Sequence, residues 1–290
     1  MNHETQQRFG RIGIWSSALS KDDAAVSGEN RDAAAELEEL GYGTIWLGGS
    51  PLVDRAAPIL EATRRITVAT GITSIWQQSA AEAAAGIAAL DERLRDRFVL
   101  GVGASHESLS PGYARPYSAM VSYLDELDRA PVPVPAGQRV LAALGPRMLE
   151  LAARRAIGAH PYLVTVEHVA QARQELGPDA FLAPELGVVL DPDPARGRQV
   201  ARQAIAYYLP LPNYTENWLR RGFVEADLAD GGSDHLLDEL YAVGDEDAIR
   251  ARVEDFFAAG ADHVALQVLT ADDGLPHAEW RKLASALQLT

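Results

Sequence analysis

Residues 97–106 read Arg-Phe-Val-Leu-Gly-Val-Gly-Ala-Ser-His, and this stretch decides how the rest of the chain is interpreted. Apolar residues of high strand propensity run into two glycines and then into small polar residues, a pattern typical of a buried parallel strand that ends at a binding site. Gly101 and Gly103 carry no Cβ, so a neighbouring backbone or a flat ligand can approach them closely. A core strand that simply leaves the sheet through a turn has the same pattern, so the stretch alone leaves both interpretations open.

Short apolar segments like this one alternate with helical segments along the whole chain. The predicted strands span residues 11–15, 44–47, 66–72, 97–106, 139–144, 159–164, 181–190 and 263–269. Eight strands that alternate with helices predict the α/β class and, within it, a parallel (β/α)8 TIM barrel. An open doubly wound sheet is the alternative, but its Gly-x-Gly-x-x-Gly fingerprint is missing, because His106 stands where the third glycine would be.

Residues 211–244 interrupt this alternation. They contain Pro212, Asn213 and several glycines among amphipathic pieces, which predicts a lid-like insertion over the barrel mouth, before the last strand. The Pro-rich run at 132–137 is only six residues long, so it is interpreted as a surface connection rather than a domain linker. The sequence therefore predicts a single domain over residues 1–290.

Composition limits the classes of partner. The formal net charge is −15, which argues against nucleic acid and anionic membranes as partners, since both attract a positive protein. The chain has no cysteine, so disulfides, thiolate metal ligands and a cysteine nucleophile are excluded, and no other metal-ligand spacing occurs. Residues 1–8 are polar and do not resemble a secretory signal, which predicts a cytoplasmic location.

Several motifs together point to a known family. They are Gly41-Tyr-Gly-Thr-Ile-Trp-Leu-Gly48, the stretch 97–106, Arg115-Pro116, Tyr123-Leu124, Ala142-Ala-Leu-Gly-Pro-Arg-Met148, residues 207–213 and Gly260-Ala-Asp-His-Val264. In this order, over nearly the whole chain, they resemble the bacterial-luciferase-like flavin and deazaflavin oxidoreductases, most closely the branch that uses coenzyme F420. The resemblance implies an enzyme acting on a small molecule, and a homodimer.

The same resemblance implies a cofactor site at the C-terminal ends of the strands, where a barrel places its active site. Small residues after strands two, three and four would form a slot for a planar tricyclic ring: Gly49, Ser50, Gly71, Ile72, Gly103, Ala104 and Ser105. The family also has a cis peptide bond after strand three, expected here between Gly71 and Ile72. The phosphate of the cofactor is expected at two helix starts, which provide free N–H groups, at Leu144, Gly145 and Arg147 and at Thr165 and Val166. For Arg147 a solvated helix arginine is the alternative.

Aromatic residues near the same strand ends are candidates for the substrate pocket. We expect Trp15, Trp76, Tyr113 and Tyr162 to shape it, together with residues 211–244. Core packing is the alternative role for the two tryptophans.

His106 is the candidate catalytic residue. Related alcohol and sugar-phosphate dehydrogenases place a histidine after strand two and a glutamate after strand four, where this chain has Ser50 and, approximately, His106. The missing histidine argues against alcohol oxidation and favours reduction of an activated C=C or C=N bond, with His106 or a water as proton source. Three further histidines are expected to be structural: His160, His168 and His263.

Two other functions remain open from the sequence. One is an FMN-dependent luciferase-like monooxygenase that works with reduced flavin supplied by a partner. The other is a non-catalytic relative that binds a cofactor or a partner through an exposed face of the barrel.

Overall fold

The computed structural model describes residues 3–21, 27–272 and 274–289. Its strands are β1 (Ile12–Ser16), β2 (Thr44–Leu47), β3 (Thr67–Thr70), β4 (Thr73–Ser74), β5 (Phe98–Gly103), β6 (Arg139–Leu141), β7 (Gly158–Ala159), β8 (Phe181–Leu182), β9 (Glu185–Leu190), β10 (Tyr241–Gly244) and β11 (Val264–Val268).

Helices separate most of these strands. They are α1 (His3–Phe9), α2 (Ser27–Glu39), α3 (Ala56–Ala62), α4 (Ala80–Ala89), α5 (Glu92–Arg95), α6 (Pro116–Arg129), α7 (Pro146–Arg155), α8 (Val166–Leu176), α9 (Pro194–Ile205), α10 (Pro212–Arg220), α11 (Glu225–Leu228), α12 (Asp234–Leu240), α13 (Glu246–Ala258) and α14 (His277–Ala286). Short 3₁₀ turns lie at Ala18–Ser20, Val53–Arg55, Glu107–Leu109, Ala136–Gln138 and Ala229–Gly231. Residues 1 and 2 of the polar start lie outside the described residues.

The strands form one parallel sheet, which confirms the α/β class. The neighbours run in the order β10-β9-β11-β1-β2-β3-β5-β6-β7-β8, and β4 pairs with β5. The predicted strand 181–190 is split at Pro184, which has no N–H to donate to a ladder. Its first part, β8, pairs with β7, and its second part, β9, pairs with β11.

The end of the predicted insertion belongs to the sheet. Residues 241–244 form β10, which pairs in parallel with β9 so that Tyr241 lies opposite Gly187. Gly187 leaves room for this pairing, because a Cβ there would lie 2.4 Å from the Tyr241 ring. This part of the segment is therefore a strand rather than a cover, since pairing with a distant strand overrides its local turn-rich context.

Two apolar layers hold the sheet. Between sheet and helices, buried aliphatic side chains form the larger core. Inside the curve of the sheet, Trp15, Trp46, Phe9 and Phe181 pack with smaller residues, and Trp46 is fully buried. Aromatic side chains therefore fill the space inside the curled sheet.

Local capping residues mark the starts of several helices. Ser79 and Glu82 form a capping box at the start of α4. Pro146 begins α7, Thr165 caps α8, and Asp245 caps α13. Within the described ranges, no helix combines the length and the apolar character needed to cross a bilayer.

Candidate functional site

A cavity of about 710 Å³ lies at the C-terminal ends of the strands. Residues that follow β1, β2, β3, β5 and β6 line it, which is the arrangement expected of a parallel α/β sheet whose strand ends converge. Of the residues predicted from the sequence, the lining includes Trp15, Gly49, Ser50, Gly71, Ile72, Ala104, Ser105, His106, Tyr113, Leu144, Gly145 and Tyr162.

Five predicted residues lie outside this lining. Gly103 packs under Ile72, because a Cβ on this glycine would lie 2.6 Å from the Ile72 side chain. Trp76 supports the lining from behind, since its indole N–H donates to the carbonyl oxygen of Ala104 at 2.5 Å. The remaining three, Arg147, Thr165 and Val166, belong to the two helix starts.

At these helix starts the structure shows local roles. The exposed Arg147 guanidinium lies over the ring of Tyr117, 4.3 Å from its centre. The Thr165 hydroxyl accepts a hydrogen bond from the backbone N–H of His168 at 3.2 Å and so caps α8. A role for these residues in binding phosphate stays a prediction.

One wall of the cavity is built by close backbone packing around Trp15. Its indole N–H donates to the carbonyl oxygen of Gly71 at 2.8 Å. A Cβ at Gly48 would lie 2.3 Å from the same indole ring, so only glycine fits there. The Gly71–Ile72 peptide bond is cis, which confirms the expectation from the sequence.

Three lining residues at the ends of β2 and β5 adopt left-handed backbone conformations: Gly49 (φ +77°), Ser50 (φ +56°) and Ser105 (φ +56°). Such conformations are uncommon for residues with a side chain, and they concentrate at ligand sites. Here they turn the chain sharply at the cavity edge, so that small side chains and backbone line the cavity.

The lining fits a planar tricyclic ring. The volume of the cavity lies within the range of roughly 300–1,000 Å³ that is typical of cofactor and drug-sized pockets. Gly145 borders open space, because no described residue other than its chain neighbours lies within 4 Å of where its Cβ would be. Small and apolar residues that follow β3, β5 and β6 line the cavity together with aromatic residues, and the N-terminus of α7 at Gly145 favours a negative group nearby.

His106 is half-buried on this lining, with its ring centre 5.0 Å from that of Tyr214. Its Nδ1 is buried and has no hydrogen-bond partner among the described residues. Burial lowers the pKa of His106 below its ordinary value of 6.5. The imidazole is therefore neutral near pH 7 and able to exchange a proton with a ligand in the cavity.

The lining also contains polar and aromatic residues that the sequence does not single out, four of them within the segment 211–244 that is expected to help shape the pocket. They are Ser17, Gln77, His160, Tyr207, Tyr208, Asn213, Tyr214, Glu216, Arg220 and Gln267. Asn213 connects α10 to the end of β5, since its side-chain N–H donates to the carbonyl oxygen of Ser105 at 3.1 Å. The sequence could have indicated Gln267, because it is a polar residue near the C-terminal end of an apolar strand. It could not have indicated the tyrosines, because they lie in and beside a segment without a regular pattern.

Two tyrosines and a glutamine form a hydrogen-bonded chain. The Tyr162 hydroxyl donates to Oε1 of Gln267 at 2.7 Å and lies 2.8 Å from the Tyr208 hydroxyl. Burial raises the pKa of Tyr162 well above its ordinary value of 10.0 and that of Tyr208 to about 12. Both phenols therefore keep their protons and act as donors at neutral pH.

Two buried titratable groups lie close to this hydrogen-bonded chain of side chains. His160 stacks on Trp46 at 4.1 Å between ring centres, and its Nδ1 contacts the carbonyl oxygen of Ala183 at 2.6 Å. Burial lowers the pKa of His160 to about 4. Glu185 accepts a hydrogen bond from the N–H of Leu163, and burial raises its pKa to about 8. Both groups are uncharged at pH 7.

Comparison with known proteins gives a family match. A sequence model described as luciferase-like monooxygenase matches residues 11–126 and 110–263. No curated protein matches the chain.

Solved structures match over nearly the whole chain. An F420-dependent secondary alcohol dehydrogenase, in complex with an F420-acetone adduct, is 16% identical with a TM-score of 0.73, covering 96% of this chain and 98% of that one. The coenzyme F420-dependent tetrahydromethanopterin reductase from Methanopyrus kandleri is 16% identical with a TM-score of 0.70, covering 94% and 96%.

A third similar structure binds a flavin. The oxygenating constituent of 3,6-diketocamphane monooxygenase from Pseudomonas putida, in complex with FMN, is 14% identical with a TM-score of 0.66, covering 96% of both chains. At these identities the likeness establishes a shared fold.

Proposed function

The chain belongs to the luciferase-like monooxygenase family, and from that premise we propose that it is an oxidoreductase that uses coenzyme F420 to reduce an activated C=C or C=N bond of a small molecule. The observation that carries this proposal is the position of His106. It is a neutral imidazole on the wall of a cavity large enough for a tricyclic ring, and its Nδ1 has no partner within the described part of the chain.

The cofactor would be held by the small residues of the lining. Gly49, Ser50, Ala104 and Ser105 would contact the ring from the ends of β2 and β5, and Ile72 would support it from β3. When bound, reduced F420 supplies a hydride. The chain's own contribution is to position the acceptor, to exclude water with the aromatic residues of α10, and to deliver a proton to the atom next to the reduced one. The donor is the imidazolium form of His106, which takes up its proton from solvent before each turnover and is the minor but more acidic form near pH 7.

The substrate is a small molecule in this proposal, and Trp15, Tyr113 and Tyr162 shape its side of the cavity. Trp76 would act indirectly, through its hydrogen bond to Ala104. Arg147 and the start of α8 at Thr165 and Val166 would lie toward the phosphate of the cofactor.

Three broader statements belong to the same proposal. The sheet is a (β/α)8 barrel in this proposal. In support of it, β8 pairs with β7 and β9 pairs with β11. The single segment 181–190 therefore connects β8, at one end of the strand order, with β9, near the other end. Residues 211–240 cover its mouth. The protein works as a cytoplasmic homodimer, as in the family it resembles.

The proposal is tested by turnover of reduced F420 with enone and imine acceptors. We expect His106→Ala to lower turnover by roughly 10²-fold or more, because the proton donor is lost, while the Kd for F420 changes little. His235→Ala, on the exposed face of α12, is the matched control and keeps wild-type turnover. Unchanged turnover in His106→Ala removes this residue from the mechanism, and turnover with reduced FMN and oxygen instead of F420 would replace the reductase by a monooxygenase.

A further inference from the structure

Gln267 has a side-chain amide whose two halves are in different environments. Its Oε1 accepts the hydrogen bond of the Tyr162 hydroxyl. Its Nε2 makes no hydrogen bond to any described residue and is not among the buried atoms that lack a partner. Because Gln267 is half-buried and lines the cavity, this NH₂ group is open to whatever occupies the cavity.

The orientation of the amide is fixed by a directed chain of hydrogen bonds. A hydroxyl has one proton to donate, and Tyr162 gives it to Gln267, so Tyr208 must donate to Tyr162. Both phenols stay protonated at neutral pH, so the chain keeps its direction. Tyr162 thus holds Oε1 in place and leaves the amide N–H groups as donors toward the ligand.

The position of Gln267 places these donors beside the reacting part of the cavity. Gln267 follows Leu266, which pairs with Ile14, so it lies next to Trp15 across the ladder between β11 and β1. Tyr162 and Tyr214 have ring centres 6.1 Å apart, and Tyr214 contacts His106. One aromatic wall therefore runs from the amide donor to the proposed proton donor.

We propose that Gln267 binds the carbonyl oxygen of the acceptor, so that the site selects substrates whose reducible C=C bond is conjugated to a carbonyl group. This inference rests on the proposed function and names its substrate class. A neutral donor suits a neutral carbonyl oxygen, and it offers nothing to a substrate that presents only N–H groups.

The chemistry of enone reduction explains why such a donor is useful. Hydride addition to the β-carbon moves the C=C electron pair toward the carbonyl oxygen. A proton added at the α-carbon then completes the saturated ketone, and the cofactor is left oxidised. Amide N–H groups placed at the oxygen stabilise the negative charge that develops there. Tyr162 is in this account a positioning residue, because it acts only through the Gln267 amide.

The test uses 2-cyclohexen-1-one as the probe and observes the amide directly. In protein labelled with ¹⁵N at glutamine, the side-chain NH₂ signal of Gln267 is identified by its absence in Gln267→Met. We expect cyclohexenone to shift this signal downfield and cyclohexene, the same ring without the oxygen, to leave it in place. Gln199→Met, on the exposed surface of α9, is the control for the substitution itself.

Affinities give a second readout. Gln267→Met is expected to raise the Kd for cyclohexenone about tenfold, as a lost hydrogen bond of about 1.4 kcal/mol would, with no effect on cyclohexene. Tyr162→Phe frees the amide to rotate and should raise the same Kd by a smaller factor. Tyr208→Phe keeps the bond between Tyr162 and Gln267 and should have the smallest effect. Thermal melting of each variant shows that it folds.

The outcomes separate this inference from the proposed function. Cyclohexenone is titrated both without cofactor and with oxidised F420. Failure of F420 to bind refutes the proposed function. If cyclohexenone leaves the Gln267 signal and the affinity series unchanged, or if F420 alone produces the shift, the assignment of Gln267 to the substrate carbonyl is overturned.

Discussion

His263 and His160 are both buried against Trp46, yet they belong to different parts of the molecule. His263 Nδ1 contacts the carbonyl oxygen of Gly10 at 2.9 Å, and its Nε2 accepts the indole N–H of Trp46 at 3.0 Å. His160 makes the corresponding contact to the carbonyl oxygen of Ala183, but its Nε2 has no partner among the described residues. Burial lowers the pKa of both side chains to about 4.

This difference divides the interior of the sheet into two regions. Toward the N-terminal ends of the strands, the polar atoms of His263 are paired, as in a core that serves stability. Toward the C-terminal ends, His160 and His106 line the cavity, and each has one buried ring nitrogen without a partner among the described residues. Buried polar atoms without a partner are uncommon in a core that serves stability alone, so this region differs from the one around His263.

The largest expected effect contrasts the two tryptophans of the interior. Trp46→Ala should lower the free energy of unfolding by about 3–5 kcal/mol, because removal of a fully buried indole leaves a void in the interior of the sheet. Trp15→Ala should cost less, because Trp15 already borders the cavity, and should change ligand affinity instead. Urea unfolding and cofactor titration of both variants check this. Equal losses of stability would remove the distinction between the two regions.

The two histidines give a closer comparison. His263→Leu leaves the Trp46 N–H and the Gly10 carbonyl without their partner, whereas His160→Leu affects only the Ala183 carbonyl. At about 1–3 kcal/mol for each unsatisfied buried group, His263→Leu should destabilise the protein about twice as much. Urea unfolding measures both values, and a larger loss for His160→Leu would contradict the assignment of His263 to the structural region.

The pH dependence of stability tests whether Glu185, in the region under the cavity, is uncharged. Its pKa is raised from 4.5 to about 8, so between these values the folded protein holds a proton that the unfolded chain has released. Stability therefore falls as pH rises through this window, by up to about 1.4 kcal/mol per pH unit.

The buried histidines change stability with pH in the opposite direction, and they do so over a different pH range. The pKa values of His160 and His263 are lowered to about 4, and that of His168 to about 3, so their contribution to stability rises with pH and is complete only well above pH 6.5, where the unfolded histidines have lost their protons. This contribution is common to wild type and Glu185→Gln, so the difference between their urea unfolding curves from pH 6.5 to 8 isolates Glu185. Glu185→Gln, which keeps an acceptor for the Leu163 N–H, should remove the falling part of the slope. An unchanged slope in the variant would mean that Glu185 is ionised in the folded protein.

The two regions also differ in how well the sequence predicts them. The alternation of strands and helices, and the end of β5 at residues 97–106, follow from local patterns, because a buried parallel strand needs a continuous apolar run. β10 could not be predicted, since its pairing with β9 depends on a contact between distant segments. The strand at 159–164 is shortened to β7 because Pro161 interrupts it.

Side-chain direction accounts for the other differences at the site. The glycine pattern predicts the slot, but Gly103 serves to accommodate Ile72, and Trp76 bonds to Ala104 behind the lining. The orientation of the Gln267 amide is set by Tyr162, which is far from it in sequence. Such pairings are tertiary and leave no local periodicity.

The measurement that tests the central claim most directly is an equilibrium titration of the protein with oxidised F420 and, in parallel, with FMN, followed by cofactor fluorescence. We predict a Kd in the micromolar range for F420 and much weaker binding of FMN. Gly145→Trp should abolish binding without loss of stability, because Gly145 borders open space in the cavity. Binding of neither cofactor, or equal binding by wild type and Gly145→Trp, would contradict the claim that this cavity is a cofactor site.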